Sequence, residues 1–109
     1  MAAYGLSKNA NHFLIQTLGN TNLASRPHSQ LTQAYHDDVC SLSILPSILD
    51  TPKNRKDMPD ANFDAWIKPD DVSKQIWEWI GKPDLRPQSG SLIQVLVNKK
   101  NGTVFQLAR

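Results

Sequence analysis

Residues 39–46 of the sequence read VCSLSILP, a nearly continuous run of apolar, β-branched and small residues that stops at Pro46. Apart from the small residues Ser41 and Ser43, residues 39–45 are all apolar. That pattern is typical of a strand covered on both faces, as in a parallel sheet. A strand of this kind needs neighbours and helices around it, so the stretch predicts an α/β fold.

The elements on either side of this strand support the same fold class. Upstream, residues 3–18 have the pattern of a helix. Downstream, residues 47–69 are rich in Pro, Asp and Asn and predict a long loop of the functional kind. Residues 70–81 then predict a helix that Asp70 or Asp71 caps and Gly81 ends, and residues 91–107 predict a strand that returns through an Asn101-Gly102 turn. We predict a single domain in this order over residues 1–109.

Composition excludes several classes of function. A formal charge of +2, with the cluster KNRK at 53–56, is too small to indicate nucleic-acid binding. One cysteine, Cys40, allows no internal disulfide, and the three histidines lack the spacing of metal ligands. The sequence has no apolar run long enough for a bilayer and no secretory signal, so we expect a cytoplasmic protein without metal or membrane partners.

Tyr4 and Lys8 are the residues with the clearest chemical meaning. They are four positions apart on the predicted first helix and therefore lie on one face, one turn from each other. A phenol is a poor proton donor at neutral pH, but a neighbouring ammonium stabilises the phenolate and makes the hydroxyl a usable general acid. The spacing alone is weak, because an ordinary Tyr-Lys pair on a helix surface has the same pattern.

The chain resembles the short-chain dehydrogenase/reductase family, in which a helix with Tyr-x-x-x-Lys precedes a parallel strand and a substrate loop. YGLSKNANH, LPSILDTPKNRKDMPDANFDAW and RPQSGSLIQV are similar to the pterin-reducing members of that family. The resemblance implies the C-terminal portion of a Rossmann-like, doubly wound parallel sheet. It also implies NADH or NADPH as cofactor, quinonoid dihydropterin as substrate with tetrahydropterin as product, and a homodimer formed through the catalytic-helix face.

The resemblance also assigns roles to individual positions. Tyr4 matches the proton donor, and Lys8 matches the lysine that holds the nicotinamide ribose. The turn after the strand matches the nicotinamide contacts, here Pro46, Leu49 and Thr51; Ser47 stands where much of the family has glycine. Substrate-loop positions are Asn54, Arg55 and Trp66.

Other interpretations of these residues remain open. Asn54 and Arg55 also suit loop-fixing or solvated positions, and Trp66 suits packing with Phe63 and Met58 rather than pterin stacking. At the level of the protein, the alternatives are a general carbonyl-reducing member of the family and a non-catalytic truncated subunit that pairs with an intact one.

The sequence lacks the phosphate-binding signature that such an enzyme needs. No G-x-G-x-x-G can be written from its five glycines. The resemblance puts that motif upstream of the catalytic tyrosine, so we expect this chain to be the C-terminal part of a longer protein whose nucleotide-binding half is missing. Alone, it should be marginally stable and bind no NADH.

Overall fold

The computed structural model describes residues 1–20 and 40–108. Residues 20–37, whose polar and turn-rich composition predicts a surface connection, lie outside the described part except for residue 20. The described residues form an α/β arrangement of helices, strands and two short 3-10 turns, Phe63–Ala65 and Pro83–Leu85. In chain order the main elements are α1 (Ala2–Asn20), β1 (Ser43–Pro46), α2 (Pro52–Asp57), α3 (Pro69–Gly81), β2 (Leu92–Asn98) and β3 (Gly102–Leu107).

The chain divides into two units. The first comprises 1–43 and 87–92 and contains α1, and the second comprises 44–86 and 93–109 and contains α2, α3 and most of the sheet. The single-domain assignment stays a prediction, as does the doubly wound parallel sheet, because the sheet within the described residues has three strands.

The sheet has the strand order β1-β2-β3, with β1 at one edge. β2 and β3 are antiparallel, and their register pairs Val95 with Phe105 and Asn98 with Gly102. The last pairing leaves residues 99–101 as a three-residue hairpin loop. Gly102 has φ +69°, a left-handed conformation that side chains with a Cβ rarely adopt.

Gly102→Ala should therefore destabilise the protein by about 1–2 kcal/mol, the cost of holding a Cβ-bearing residue in the left-handed region. Gly81→Ala is the matched control, because Gly81 closes α3 with ordinary backbone angles and open space around its Cβ position. There alanine should leave the stability unchanged or raise it by up to about 1 kcal/mol. Urea unfolding followed by circular dichroism measures both, and equal effects would contradict the hairpin geometry.

The buried core lies in the second unit. Ile67, Ile93 and Val95 are fully buried, and Trp66 and Trp79 nearly so. Ile93 and Val95 are two residues apart on β2 and so face the same side of the sheet. Trp79 of α3 meets Phe105 of β3 edge to face, with ring centroids 5.8 Å apart, and this contact packs the helix against the hairpin.

The strand predicted at 39–46 begins later than expected. Residue 39 lies outside the described part, and β1 begins at Ser43. Ser41 does not belong to a strand ladder: its N–H donates to Ser89 Oγ, and its carbonyl accepts from the Gly90 N–H at 2.7 Å. These bonds to the turn before β2 take the place of strand-ladder bonds at Ser41. The preceding residue, Cys40, is half-buried.

The predicted cap of the third helix is wrong. α3 begins at Pro69, and its N-cap is Lys68, whose side chain makes no capping bond. Proline suits the first helical position because its missing N–H would have no partner there. Asp70 and Asp71 consequently occupy the first turn, where a negative charge is favourable, and Asp71 Oδ2 accepts a 2.6 Å hydrogen bond from Thr103 Oγ1.

The predicted long loop at 47–69 contains regular structure. It holds α2, the 3-10 turn Phe63–Ala65 and an isolated parallel bridge between Leu49 and Ile67. Because Thr51 caps α2 and Pro52 begins it, the segment has an N-cap and a first helical residue of the preferred types. The 47–69 segment is thus a closed and ordered lobe.

Candidate functional site

Tyr4 and Lys8 lie together on α1, in the first unit. The Lys8 Nζ is 5.2 Å from the centroid of the Tyr4 ring, which is a cation–π distance. The Tyr4 side chain is 65% exposed, so its hydroxyl is accessible to a ligand. This pair has the geometry that the i, i+4 spacing predicts: an accessible phenol with a cation beside its ring.

The turn after β1 is fixed by its bridge to Ile67. The Ile67 N–H donates to the Ile48 carbonyl at 2.9 Å, and its carbonyl accepts from the Asp50 N–H at 2.8 Å. Because N–H and C=O of one extended residue point to the same side, the backbone groups of Leu49 point away from Ile67. Leu49 therefore has its backbone polar groups on the open side of the bridge.

The other side of this turn is held by α2. Thr51 is the N-cap, and its Oγ1 accepts from the Asn54 N–H at 3.2 Å. A threonine hydroxyl that accepts in this way still has its own hydrogen to donate. The Asn54 side chain returns toward the turn, and its Nδ2 donates to the Leu49 carbonyl at 2.8 Å. Asn54 is thus bonded to two of the three residues that the resemblance assigns to the nicotinamide turn, Leu49 and Thr51.

Asp50 and Arg55 form a bidentate ion pair beside this turn. Arg55 Nε lies 2.5 Å from Asp50 Oδ1, and its second nitrogen lies 2.8 Å from Oδ2. The hydrogen bonds from Arg55, more than its charge, lower the pKa of the Asp50 carboxyl below its usual value, and the same bonds raise the pKa of Arg55. The Arg55 guanidinium also lies 4.5 Å over the Phe63 ring, whose centroid is 4.8 Å from that of Trp66.

The Asp50–Arg55 pair should make stability sensitive to acid. A lowered folded-state pKa means that the pair's contribution is fully present above the unfolded value of 3.8 and is lost as the pH falls through the folded value. Wild type should therefore be more stable than Arg55→Gln at pH 7, and the difference should shrink below pH 3.8. Unfolding curves across this range measure it.

Lys53→Gln is the control for this titration. It removes the ion pair of Lys53 with Asp57, whose side chains are both largely exposed and whose contribution should stay within about 0.5 kcal/mol. A difference between wild type and Arg55→Gln that does not shrink in acid would show that the pair does not act through the Asp50 charge.

The structure brings only some of the expected site residues together. Tyr4 and Lys8 form one group, and a second group in the other unit joins the turn to α2: Leu49, Thr51, Asn54 and Arg55. Pro46 ends β1 just before that turn. Trp66 is 5% exposed and packs on Phe63, a position that favours the packing role over pterin stacking.

Sequence reasoning missed Asp50 and Phe63 as parts of this second group. The signal for Asp50 was available, since an acid directly before a Thr-Pro helix start lies within reach of an arginine in the first helical turns. Phe63 had no comparable signal, because its contact with Arg55 depends on how the chain returns from α2. Among residues 1–20 and 40–108, no cluster of His, Cys, Asp and Glu side chains is suited to a metal ion.

Comparison with known proteins finds a similarity that extends over most of the chain. No family model matches the sequence. The dihydropteridine reductase of Dictyostelium discoideum is 40% identical to this chain over 100 residues, which cover 92% of the chain and 39% of that protein. The chain is similar to a dihydropteridine reductase. It spans about two fifths of the length of this relative, so the similarity concerns only part of it.

None of the described helices, α1 included, is both long and apolar enough to cross a bilayer.

Proposed function

We propose that this chain is the catalytic part of an oxidoreductase that reduces quinonoid dihydropterin to tetrahydropterin, with NADH or NADPH as hydride source. The observation that carries the proposal is the 40% identity to a dihydropteridine reductase across 92% of the chain. The Tyr4–Lys8 pair supports it independently, because the helix brings an accessible phenol and an ammonium together.

The residues of the second group fit the amide end of a nicotinamide. A carboxamide offers one carbonyl acceptor and two N–H donors. The Thr51 hydroxyl keeps a hydrogen to donate after it caps α2, and the backbone of Leu49 faces the open side of its bridge. These two donors suit the carboxamide oxygen. Pro46 fixes the backbone where β1 turns toward them.

The nicotinamide, when bound, supplies the hydride. The Tyr4 hydroxyl then gives the proton that completes the reduction of the pterin ring. Lys8 stabilises the negative charge that remains on the phenolate and also offers ammonium hydrogens to the ribose hydroxyls. General acid catalysis of this kind contributes about 10²–10⁴-fold to a rate.

The assembly and the compartment are part of the same proposal. α1 has several large apolar side chains exposed, among them Leu6, Phe13, Leu14 and Leu18. An apolar helix face of this size suits burial against a partner, which we propose to be a second subunit of a homodimer. We further propose a cytoplasmic enzyme.

A hybrid protein tests the function directly. In it, residues 1–109 replace the matching segment of the Dictyostelium reductase, so that the relative supplies the remainder. Dihydropterin-dependent oxidation of NADH at a rate within tenfold of the intact relative is the expected result. The intact relative is the positive control, and the hybrid without dihydropterin is the blank.

The other outcomes separate the alternatives. A hybrid that reduces simple carbonyl compounds but not dihydropterin would favour a general carbonyl-reducing short-chain dehydrogenase. A folded but inactive hybrid, with residues 1–109 co-purifying with an intact reductase, would favour a non-catalytic subunit; the exposed apolar face of α1 is the observation behind that candidate. The companion measurement is to read the coding sequence upstream of Met1. It asks whether codons in the same frame encode a predicted strand followed by G-x-G-x-x-G.

A further inference from the structure

We propose that Asn54 is a positioning residue for the nicotinamide turn, one that sets residues 49–51 for the cofactor and does not contact the pterin. The inference rests on the proposed function. It concerns a residue for which the sequence leaves two roles open, a substrate contact and a loop contact.

The contacts of Asn54 account for its role. Its backbone N–H is bonded to Thr51 Oγ1, and its side-chain Nδ2 is bonded to the Leu49 carbonyl. A carbonyl only accepts hydrogen bonds, so the atom facing it must be the amide nitrogen, which fixes the orientation of the side chain. One residue therefore holds the two positions that would meet the carboxamide.

The opposite side of the turn is held by a separate set of bonds. Ile67 binds the Ile48 carbonyl and the Asp50 N–H, so the bridge fixes the residues on either side of Leu49. Asn54 then fixes Leu49 itself from the open side. Because the Leu49 carbonyl is already bonded to Asn54, the turn has the Leu49 N–H and the Thr51 hydroxyl hydrogen to offer, and both are donors.

The side chain of the neighbouring residue, Arg55, makes different contacts. Arg55 is bonded to both carboxylate oxygens of Asp50 and stacks on Phe63. These side-chain contacts stabilise α2 against the turn, but none of them reaches Leu49 or Thr51. The Arg55 bond to Thr51 is a helical backbone bond, from its N–H to the Thr51 carbonyl at 3.0 Å, and does not depend on the side chain. Asn54 is therefore the residue whose loss alters the turn most directly.

Asn54→Asp is the test substitution, since it keeps the shape of the side chain. At neutral pH a carboxylate cannot donate to the Leu49 carbonyl, whereas a protonated carboxyl can. In the hybrid protein, KM for NADH should rise about tenfold at pH 7, a factor equal to 1.4 kcal/mol and to the size of one hydrogen bond. KM for dihydropterin should stay unchanged. KM for NADH should fall back toward the wild-type value as the pH is lowered toward the pKa of the introduced carboxyl group.

Two controls accompany the kinetics. Lys53→Gln changes an exposed residue of the same helix and should alter neither KM at any pH. In the 109-residue chain without cofactor, nuclear magnetic resonance should find the Asn54 side-chain amide hydrogens exchanging more slowly than those of Asn62, which uses its oxygen to cap Asp64. That second readout does not depend on enzyme activity.

The outcomes distinguish the two proposals. A rise in KM for dihydropterin with KM for NADH unchanged would overturn the positioning role in favour of a substrate contact, and no change in either would overturn it as well. If the unsubstituted hybrid oxidises no NADH, the proposed function fails and the cofactor role of Asn54 falls with it. Slow amide exchange would then still identify the Asn54–Leu49 bond as a structural one.

Discussion

Tyr4→Phe in the hybrid protein should lower kcat for dihydropterin reduction by about 10²–10⁴-fold, the range that a positioned general acid contributes. The substitution removes only the hydroxyl and leaves the aromatic ring beside the Lys8 ammonium. KM for NADH should change little, because the loss lies in proton transfer and not in binding. Steady-state kinetics with both substrates varied measures the two effects.

Ser7→Ala is the matched control for this substitution. It also removes one hydroxyl from α1, and the hydroxyl it removes is bonded to the Tyr4 carbonyl at 2.8 Å. This change should leave kcat almost unaltered, because the Ser7 hydroxyl is bonded to a backbone carbonyl and not to the Tyr4 phenol. As a surface substitution it should also alter the stability by no more than about 0.5 kcal/mol. A Tyr4→Phe hybrid that kept a tenth or more of the wild-type kcat would remove Tyr4 from the proton-donor role.

Ile67→Ala should lower the free energy of unfolding by about 2–5 kcal/mol, the usual cost of deleting this much of a buried side chain. Ile67 has 0% of its surface exposed. Its backbone also forms both bridge bonds to the turn after β1, so relaxation around a cavity there is restricted. For a domain of this size the loss is a large share of the total stability.

Ile80→Ala makes the same chemical change at an exposed position. Ile80 is 61% exposed on α3, so its truncation should cost within about 0.5 kcal/mol, and the higher helix propensity of alanine offsets part of that. Urea unfolding of the two variants and wild type gives the comparison. Similar costs at both positions would mean that Ile67 is not part of the core.

Short-range sequence patterns are sufficient to predict some features of this structure. The Tyr4–Lys8 contact follows from the helical repeat alone, and the hairpin follows from Asn101-Gly102, because only glycine adopts φ +69° without strain. The predicted order of helix, strand, long loop, helix and hairpin also matches the main elements, except that α2 lies within the segment predicted as a loop. In each of these cases the determining interactions lie within a few residues.

Other features depend on contacts between distant residues. The start of β1 at Ser43 is set by bonds from Ser41 to the turn at Ser89 and Gly90, nearly fifty residues away. The exposure of Ile76 and Ile80 on α3 is set by which side of the helix meets Phe105. The spacing of apolar residues along α3 does not show which of them the hairpin covers.

α2 could be predicted only in part from the sequence. Thr51-Pro52 is a helix start by residue type, yet six helical residues in a segment rich in Pro, Asp and Asn have too weak a periodic signal to stand out. The role of Asn54 was similarly ambiguous, because an asparagine in a loop suits a ligand contact and a backbone contact equally well. Only the position of the Leu49 carbonyl distinguishes them.

The hydrogen bonds that close the lobe between β1 and α3 also bear on the folding kinetics of this chain. Asn54 and Leu49, like Arg55 and Asp50, are five residues apart in sequence, and the bridge to Ile67 joins positions fewer than twenty apart. Contacts of such low contact order cost little loop entropy and form quickly, ahead of long-range strand pairing. The lobe should therefore be an early folding unit, with the turn after β1 already shaped before β1 pairs with β2.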